Sequence, residues 1–213
     1  MNEKILVLGD YKAAKWHPLK GVDDCLKQIL KDYEVSFSEE YSSLCSCELK
    51  KYDALICYAD AWNSNATKQT AGAILSYAAE GGALVTIHNG IITRSNPEVE
   101  LMHGARFTGH PEACDLTYTP VDLKHPILEG IKPFTIFEEP YRFTVAELAK
   151  TELLITYSHE GKDWPAAWTL FYGMGKIAYL SMGHSAKSFE NETFARLIVN
   201  SVVWASTKEG GDV

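Results

Sequence analysis

The sequence predicts a doubly wound α/β fold with a mainly parallel sheet and antiparallel additions in its C-terminal half. Three observations carry that expectation. Short apolar runs alternate with stretches of helical periodicity through residues 4–87, the pattern of parallel βαβ units. A chain of 213 residues with 46% hydrophobic content can bury one large core. No low-complexity linker or internal repeat divides it, so residues 1–206 read as one domain and 207–213 as a frayed tail.

Residues Lys4 to Gly9 form an apolar run closed by glycine, a first strand, and Val22, Leu26, Ile29, Leu30 and Tyr33 then recur at helical spacing. Glu34 to Ser38 gives a short second strand, and Asp53 to Tyr58 an almost continuous apolar one suited to a sheet covered on both faces. A helix over Ala66 to Glu80 carries Ala71, Ile74, Leu75 and Ala78 on one stripe, with Gly81 and Gly82 placed to end it. Ala83 to Ile87 is the fourth strand. Beyond His88 the chain is less regular until the strand-like segments TELLITYS, PAAWTLFY and GKIAYLSM, and a last helix spans Asn191 to Ser206.

The formal net charge of -8 disfavours a phosphate-backbone partner. No run approaches the ~20 apolar residues of a membrane span, and the N-terminal stretch lacks the apolar segment of a signal peptide. Five cysteines, an odd number, read as reduced thiols in a cytoplasmic protein, with Cys45 and Cys47 as loop residues. The GlyXGly of YGMGK joins two strands instead of opening a helix, which disfavours a nicotinamide or flavin cofactor.

In open α/β sheets ligands bind beyond the carboxyl ends of the strands. Asp10, then Asp60 and Trp62, then His88-Asn89-Gly90, and finally Gly183-His184 each follow a strand. The segment LVTIHNG has the strand-and-tight-turn layout of a nucleophile elbow, with His88 at the apex. An imidazole there cannot form the thioester of a glutaminase. Histidine exchanges protons near neutral pH, so His88 and His184 are the candidate acid and base. In FEEPYRF, strand alternation sends one of Glu138 and Glu139 inward and the other out, so at most one of them serves a site. The loop GARFTGHP offers Arg106 and His110, while His103 and His125 read as structural.

The ordered segments HPLKG, YDALICY, EGGALVTIH, LMHGARFTGHP, HPILEGI, EEPYR, PAAWTLFYGMGKIAYLSMGH and SFEN resemble the ThuA-like (trehalose utilisation) family along nearly the whole chain. The resemblance implies a class I glutamine amidotransferase-like, flavodoxin-like fold and a role in carbohydrate metabolism, in which a sugar oxidoreductase partner supplies 3-keto-sugars. The family's elbow histidine matches His88, its glycine-histidine Gly183 and His184, its acidic-Tyr-Arg segment Glu138, Glu139, Tyr141 and Arg142, and its loop Gly109, His110 and Pro111. Asp60-Ala61-Trp62 stands where trehalose-operon members carry a histidine-rich segment, a departure that bears on both substrate and metal.

The expected activity is histidine-assisted proton transfer on a keto-sugar or disaccharide derivative, of isomerase, epimerase or lyase type. His88, His184 and Glu139 would be catalytic, and His17, Asp60, Trp62, Asn89, Arg106, His110, Tyr141 and Arg142 would bind substrate. His17, His88, His110 and His184 are also a candidate ligand set for a divalent metal such as zinc. The competing expectation is a non-catalytic sugar-binding or complex-forming module. Several groups that titrate near pH 7 argue for the enzyme; the missing elbow cysteine argues for the module. Either leaves room for a homo-oligomer.

Overall fold

A computed structural model describes residues 3–41, 44–60, 66–93 and 96–207. The N-terminal half follows the alternation read from the sequence, with one short helix more, over Ser46–Leu49, where the sequence reads as loop. It runs β1 (Lys4–Gly9), α1 (Val22–Ile29), β2 (Glu34–Ser38), α2 (Ser46–Leu49), β3 (Ala54–Tyr58), α3 (Lys68–Ala79) and β4 (Ala83–Ile87). A 3₁₀ turn over His88–Ile91 and α4 (Pro97–Met102) follow. Then come β5 (Ala105–Gly109), β6 (Cys114–Pro120), β7 (Phe134–Glu138), β8 (Arg142–Val145), β9 (Glu152–His159), β10 (Lys162–Tyr172), β11 (Gly175–Leu180) and α5 (Glu192–Ser206).

The main sheet has the order β2-β1-β3-β4-β11-β10-β9-β6-β7, and β5 and β8 form a separate two-stranded sheet. From β2 to β11 every pairing is parallel; from β11 to β7 every pairing is antiparallel. Strand alternation divides the core in two. Ile5, Val7, Ile56, Val85 and Ile87 pack with Val22 and Leu26 of α1 and with Phe194 and Leu197 of α5. Leu6, Leu8, Leu55, Cys57 and Leu84 face the other way, onto Ile74 and Tyr77 of α3. Helices on both faces are why these strands are apolar throughout instead of alternating.

Local chemistry sets the helix ends. Thr67 caps α3 in a reciprocal box with Thr70, and Gly81, at φ +101°, receives the chain after it. The Asn191 side chain accepts from the N–H groups of Thr193 and Phe194 at the start of α5.

Two readings of the sequence need correction. Cys45 and Cys47 are joined by a disulfide, whereas Cys25, Cys57 and Cys114 are free; the reduced-thiol expectation fails for the one close pair. The stretch after His88 also holds four strands that the sequence reading left irregular. Their period-two pattern is present, with Ala105 and Phe107 buried around Arg106, and Phe134, Ile136 and Glu138 buried around Thr135 and Phe137. β5 and β7 are each only five residues long. Among the described residues no helix is long and apolar enough to cross a membrane.

The four antiparallel pairings between β11 and β7 each reverse direction, so β7 again runs parallel to β11. Its C-terminal end therefore reaches the same rim as the ends of β1, β3, β4 and β11. That return of direction places the candidate site.

Candidate functional site

Five side chains meet at the rim, each from a different segment. His17 comes from the β1–α1 loop, His88 from the end of β4, His110 from the end of β5, Glu139 from the end of β7 and His184 from the end of β11. The elbow reading describes His88 well, because its φ of +47° is a left-handed conformation that non-glycine residues avoid. The turn after it is a single 3₁₀ turn. At Gly90 a Cβ would lie 2.3 Å from the Cys57 carbonyl oxygen, so only glycine lets the turn pack this closely on β3.

Glu139 Oε2 is the focus. It lies 3.3 Å from His88 Nε2, 3.3 Å from His184 Nδ1, 3.7 Å from His17 Nε2 and 3.6 Å from His110 Nε2. His17 Nε2, His88 Nε2, His184 Nδ1 and Glu139 Oε2 are all buried and make no hydrogen bond among the described residues. These four atoms lie within 4.8 Å of one another.

The neighbours of each ring decide which nitrogen carries its proton. His88 Nδ1 sits 2.6 Å from the Ser181 carbonyl oxygen, which only accepts, so Nδ1 donates and Nε2 presents a lone pair. His17 Nδ1 lies 2.6 Å from Asp60 Oδ1, and Asp60 Oδ2 also accepts from the N–H groups of Lys15 and Trp16. His110 Nδ1 is fixed by the Pro111 carbonyl at 2.8 Å. Tyr141 backs the cluster, stacked on His88 at 4.0 Å and on His110 at 5.4 Å between ring centroids.

The electrostatics follow this geometry. Burial would raise the Glu139 carboxyl, but its contacts with His17, His184 and His88 prevail and hold it well below the usual carboxylate range. Burial likewise opposes ionisation of Asp60, yet the His17 ring and the two N–H donors bring it down to about 2. Burial pushes the His17 pKa down, and Asp60 and Glu139 overcome that and raise it. The fully enclosed His88 goes the other way, lowered chiefly by burial.

Lone pairs converging on a carboxylate oxygen repel it unless a cation or proton lies between them. In a tetrahedral zinc site with bonds of ~2.0–2.1 Å, neighbouring ligand atoms stand ~3.3–3.4 Å apart. The Glu139 distances to His88 and His184 match that spacing, so the set His17, His88, Glu139 and His184 could hold such an ion. His110, with 35% of its side chain exposed, stands outside this foursome.

Other residues singled out in the sequence lie elsewhere. Arg106 is exposed on β5, on the side away from Phe107. Arg142 pairs with Glu160 and lies over the Trp164 ring. Asn89 is buried and donates to the Tyr58 carbonyl, and Tyr141 is a buried wall with no free face for a sugar. Asp10 accepts from the Tyr41 hydroxyl and from the Asp60 N–H, behind the cluster. Trp62 lies outside the described residues. The expectation that only one of Glu138 and Glu139 points inward is overturned. β7 ends at Glu138, so strand alternation stops there, and the chain turns at Pro140 with both carboxylates directed inward.

Fold and elbow together define the class: a glutamine amidotransferase-like α/β domain with histidine where a glutaminase carries its thiol. The chain matches the family model described as ThuA, trehalose utilisation, over residues 4–205, and it belongs to the ThuA family. A ThuA-like protein from Parabacteroides merdae superimposes with a TM-score of 0.79 at 19% identity, covering 100% of this chain and 93% of that one. A ThuA-like protein from Bacteroides uniformis gives 0.77 at 20% identity, covering 95% and 91%. A β-galactosidase from Rahnella shares the fold over 94% of this chain and 31% of its own, with a TM-score of 0.69 at 15% identity. No curated protein matches the sequence.

Proposed function

We propose that the protein is a metal-dependent enzyme of sugar metabolism that moves a proton next to the carbonyl of a keto-sugar or disaccharide derivative, in an isomerase, epimerase or lyase reaction. One observation carries the metal: three imidazole nitrogens and Glu139 Oε2, all buried and without hydrogen bonds among the described residues, converge within 4.8 Å. His17, His88, His184 and Glu139 are the ligands. When bound, a divalent ion such as zinc supplies Lewis-acid polarisation of a carbonyl and stabilises the negative charge that develops on its oxygen.

The remaining roles belong to the chain. Asp60 and the Ser181 carbonyl fix the proton on Nδ1 of His17 and His88, so both rings present Nε2 to the site. This takes His88 out of acid–base work and makes it a ligand. His110 is the histidine left to exchange protons with substrate; its Nδ1 is fixed on Pro111, and it is the most exposed of the four rings. A cytoplasmic location and a sugar oxidoreductase that supplies the keto-sugar belong to the same reading.

The test is elemental analysis of protein purified without an affinity tag, followed by assay of wild type and His110→Ala against 3-keto-sugars. The expected result is about one divalent ion per chain and turnover that falls by about 100-fold or more in the variant. Activity retained at near-zero metal content removes the metal. Sugar binding with no turnover shows a binding module instead.

A further inference from the structure

We infer that Glu138, which is outside the ligand set, is a positioning residue that fixes His184 in the metal site by clamping its backbone. The inference rests on the metal reading above. Each of the other two histidine ligands has a partner on its ring: Asp60 for His17 and the Ser181 carbonyl for His88. His184 presents Nδ1 itself to the cluster, and among the described residues no hydrogen bond holds its other ring nitrogen, so the constraint on it falls to the main chain that carries it.

Glu138 supplies that constraint. Its side chain is fully buried. Oε1 accepts from the Gly183 N–H at 2.9 Å and the His184 N–H at 3.3 Å, and Oε2 accepts from the His184 N–H at 3.1 Å. Two successive N–H groups converge on one carboxylate because Gly183 adopts φ +115°, the geometry of an anion-binding nest. A Cβ at Gly183 would meet Ile87 Cγ2 at 2.7 Å, so the turn has little freedom to shift. From the other side the Tyr58 hydroxyl donates to the Gly183 carbonyl at 2.9 Å. Since Glu139 is the next residue, a single side chain ties the backbone carrying one ligand to the backbone carrying another.

Reach and charge can be separated by two substitutions. Glu138→Asp keeps the charge and shortens the side chain by one methylene; Glu138→Gln keeps the length and loses the charge. Zinc affinity is measured by competition with a chromophoric chelator, and exchange of the Gly183 and His184 amides is followed by NMR in the metal-free protein. If Glu138 positions His184, Glu138→Asp weakens zinc by about 10- to 100-fold and speeds exchange at both amides. Glu138→Gln keeps an acceptor for both N–H groups at the Oε1 position and loses only the Oε2 contact with His184, so it loses less than Glu138→Asp on both measures, under about tenfold in zinc affinity.

Wild-type zinc affinity in Glu138→Asp overturns the inference and leaves the metal site standing. So does a loss in Glu138→Gln as large as or larger than that in Glu138→Asp, which would mean that the reach of the side chain is not the operative property. Failure of Glu138→Asp to fold while Glu138→Gln folds and binds zinc also overturns it, by showing a need of the whole fold. Absence of zinc binding by the wild type removes the metal reading and this inference with it.

Discussion

Asp60→Asn should cost about 2 kcal/mol of stability in the metal-free protein, and the cost should vanish in acid. The Asp60 carboxylate receives Lys15 N–H at 2.6 Å, Trp16 N–H at 3.0 Å and His17 Nδ1 at 2.6 Å. Its side chain is 7% exposed, so solvent screens these contacts little. They hold its pKa at about 2, against 3.8 for an unperturbed aspartate, and at ~1.4 kcal/mol per unit that difference is worth about 2.5 kcal/mol, of which about 2 kcal/mol remains after solvent screening. A depressed folded-state value stabilises above the unfolded pKa and is lost as pH falls through the folded one. The gap between wild type and variant should therefore be full near pH 5 and close toward pH 2. His17, raised above 6.5 in part by Asp60, adds stability that is complete below that value and fades as pH rises through its folded pKa, which also favours pH 5 for the comparison. For a domain of this size the gap is a fall in Tm of about 4–8 °C. Urea unfolding of both proteins in chelator, at several pH values between about 5 and 2, provides the measurement. A gap that persists unchanged to the lowest pH, or no gap at pH 5, refutes the reasoning.

Two further substitutions test the scaffold. Val85 is wholly buried in central strand β4, so Val85→Asp places an unpaired charge in the core and should prevent folding; a soluble variant with near-native melting counts against this placement of the strand. Gly90→Ala puts a methyl group 2.3 Å from the Cys57 carbonyl oxygen and should cost on the order of 2–4 kcal/mol. Because His88 lies in the same turn, zinc affinity should fall as well, and an unchanged melting temperature would show that the turn relaxes freely.

Much of the N-terminal half was legible because its signals are local. Apolar runs from Ile5 to Leu8, Leu55 to Cys57 and Leu84 to Ile87 report strands covered on both faces, and the stripe of Ala71, Ile74 and Ala78 reports a helix. The rule that ligands gather at strand ends singled out His88, His184 and Asp60. The C-terminal half was harder, because five-residue strands such as β5 and β7 carry too few alternations to stand out among glycines and prolines.

The sequence by itself therefore determined the βαβ core, the histidine at the elbow and the family to which the chain belongs. The tertiary structure alone decided that Glu139 joins His17, His88 and His184, because four successive antiparallel pairings return β7 to the direction of β11. It also sent Arg106 and Arg142 away from the cluster, drew Glu138 beneath His184 and closed the Cys45–Cys47 disulfide. Residue periodicity reports which way a side chain leaves its own strand. Whether side chains from five segments meet depends on strand order and direction, which pairing between distant parts of the chain sets.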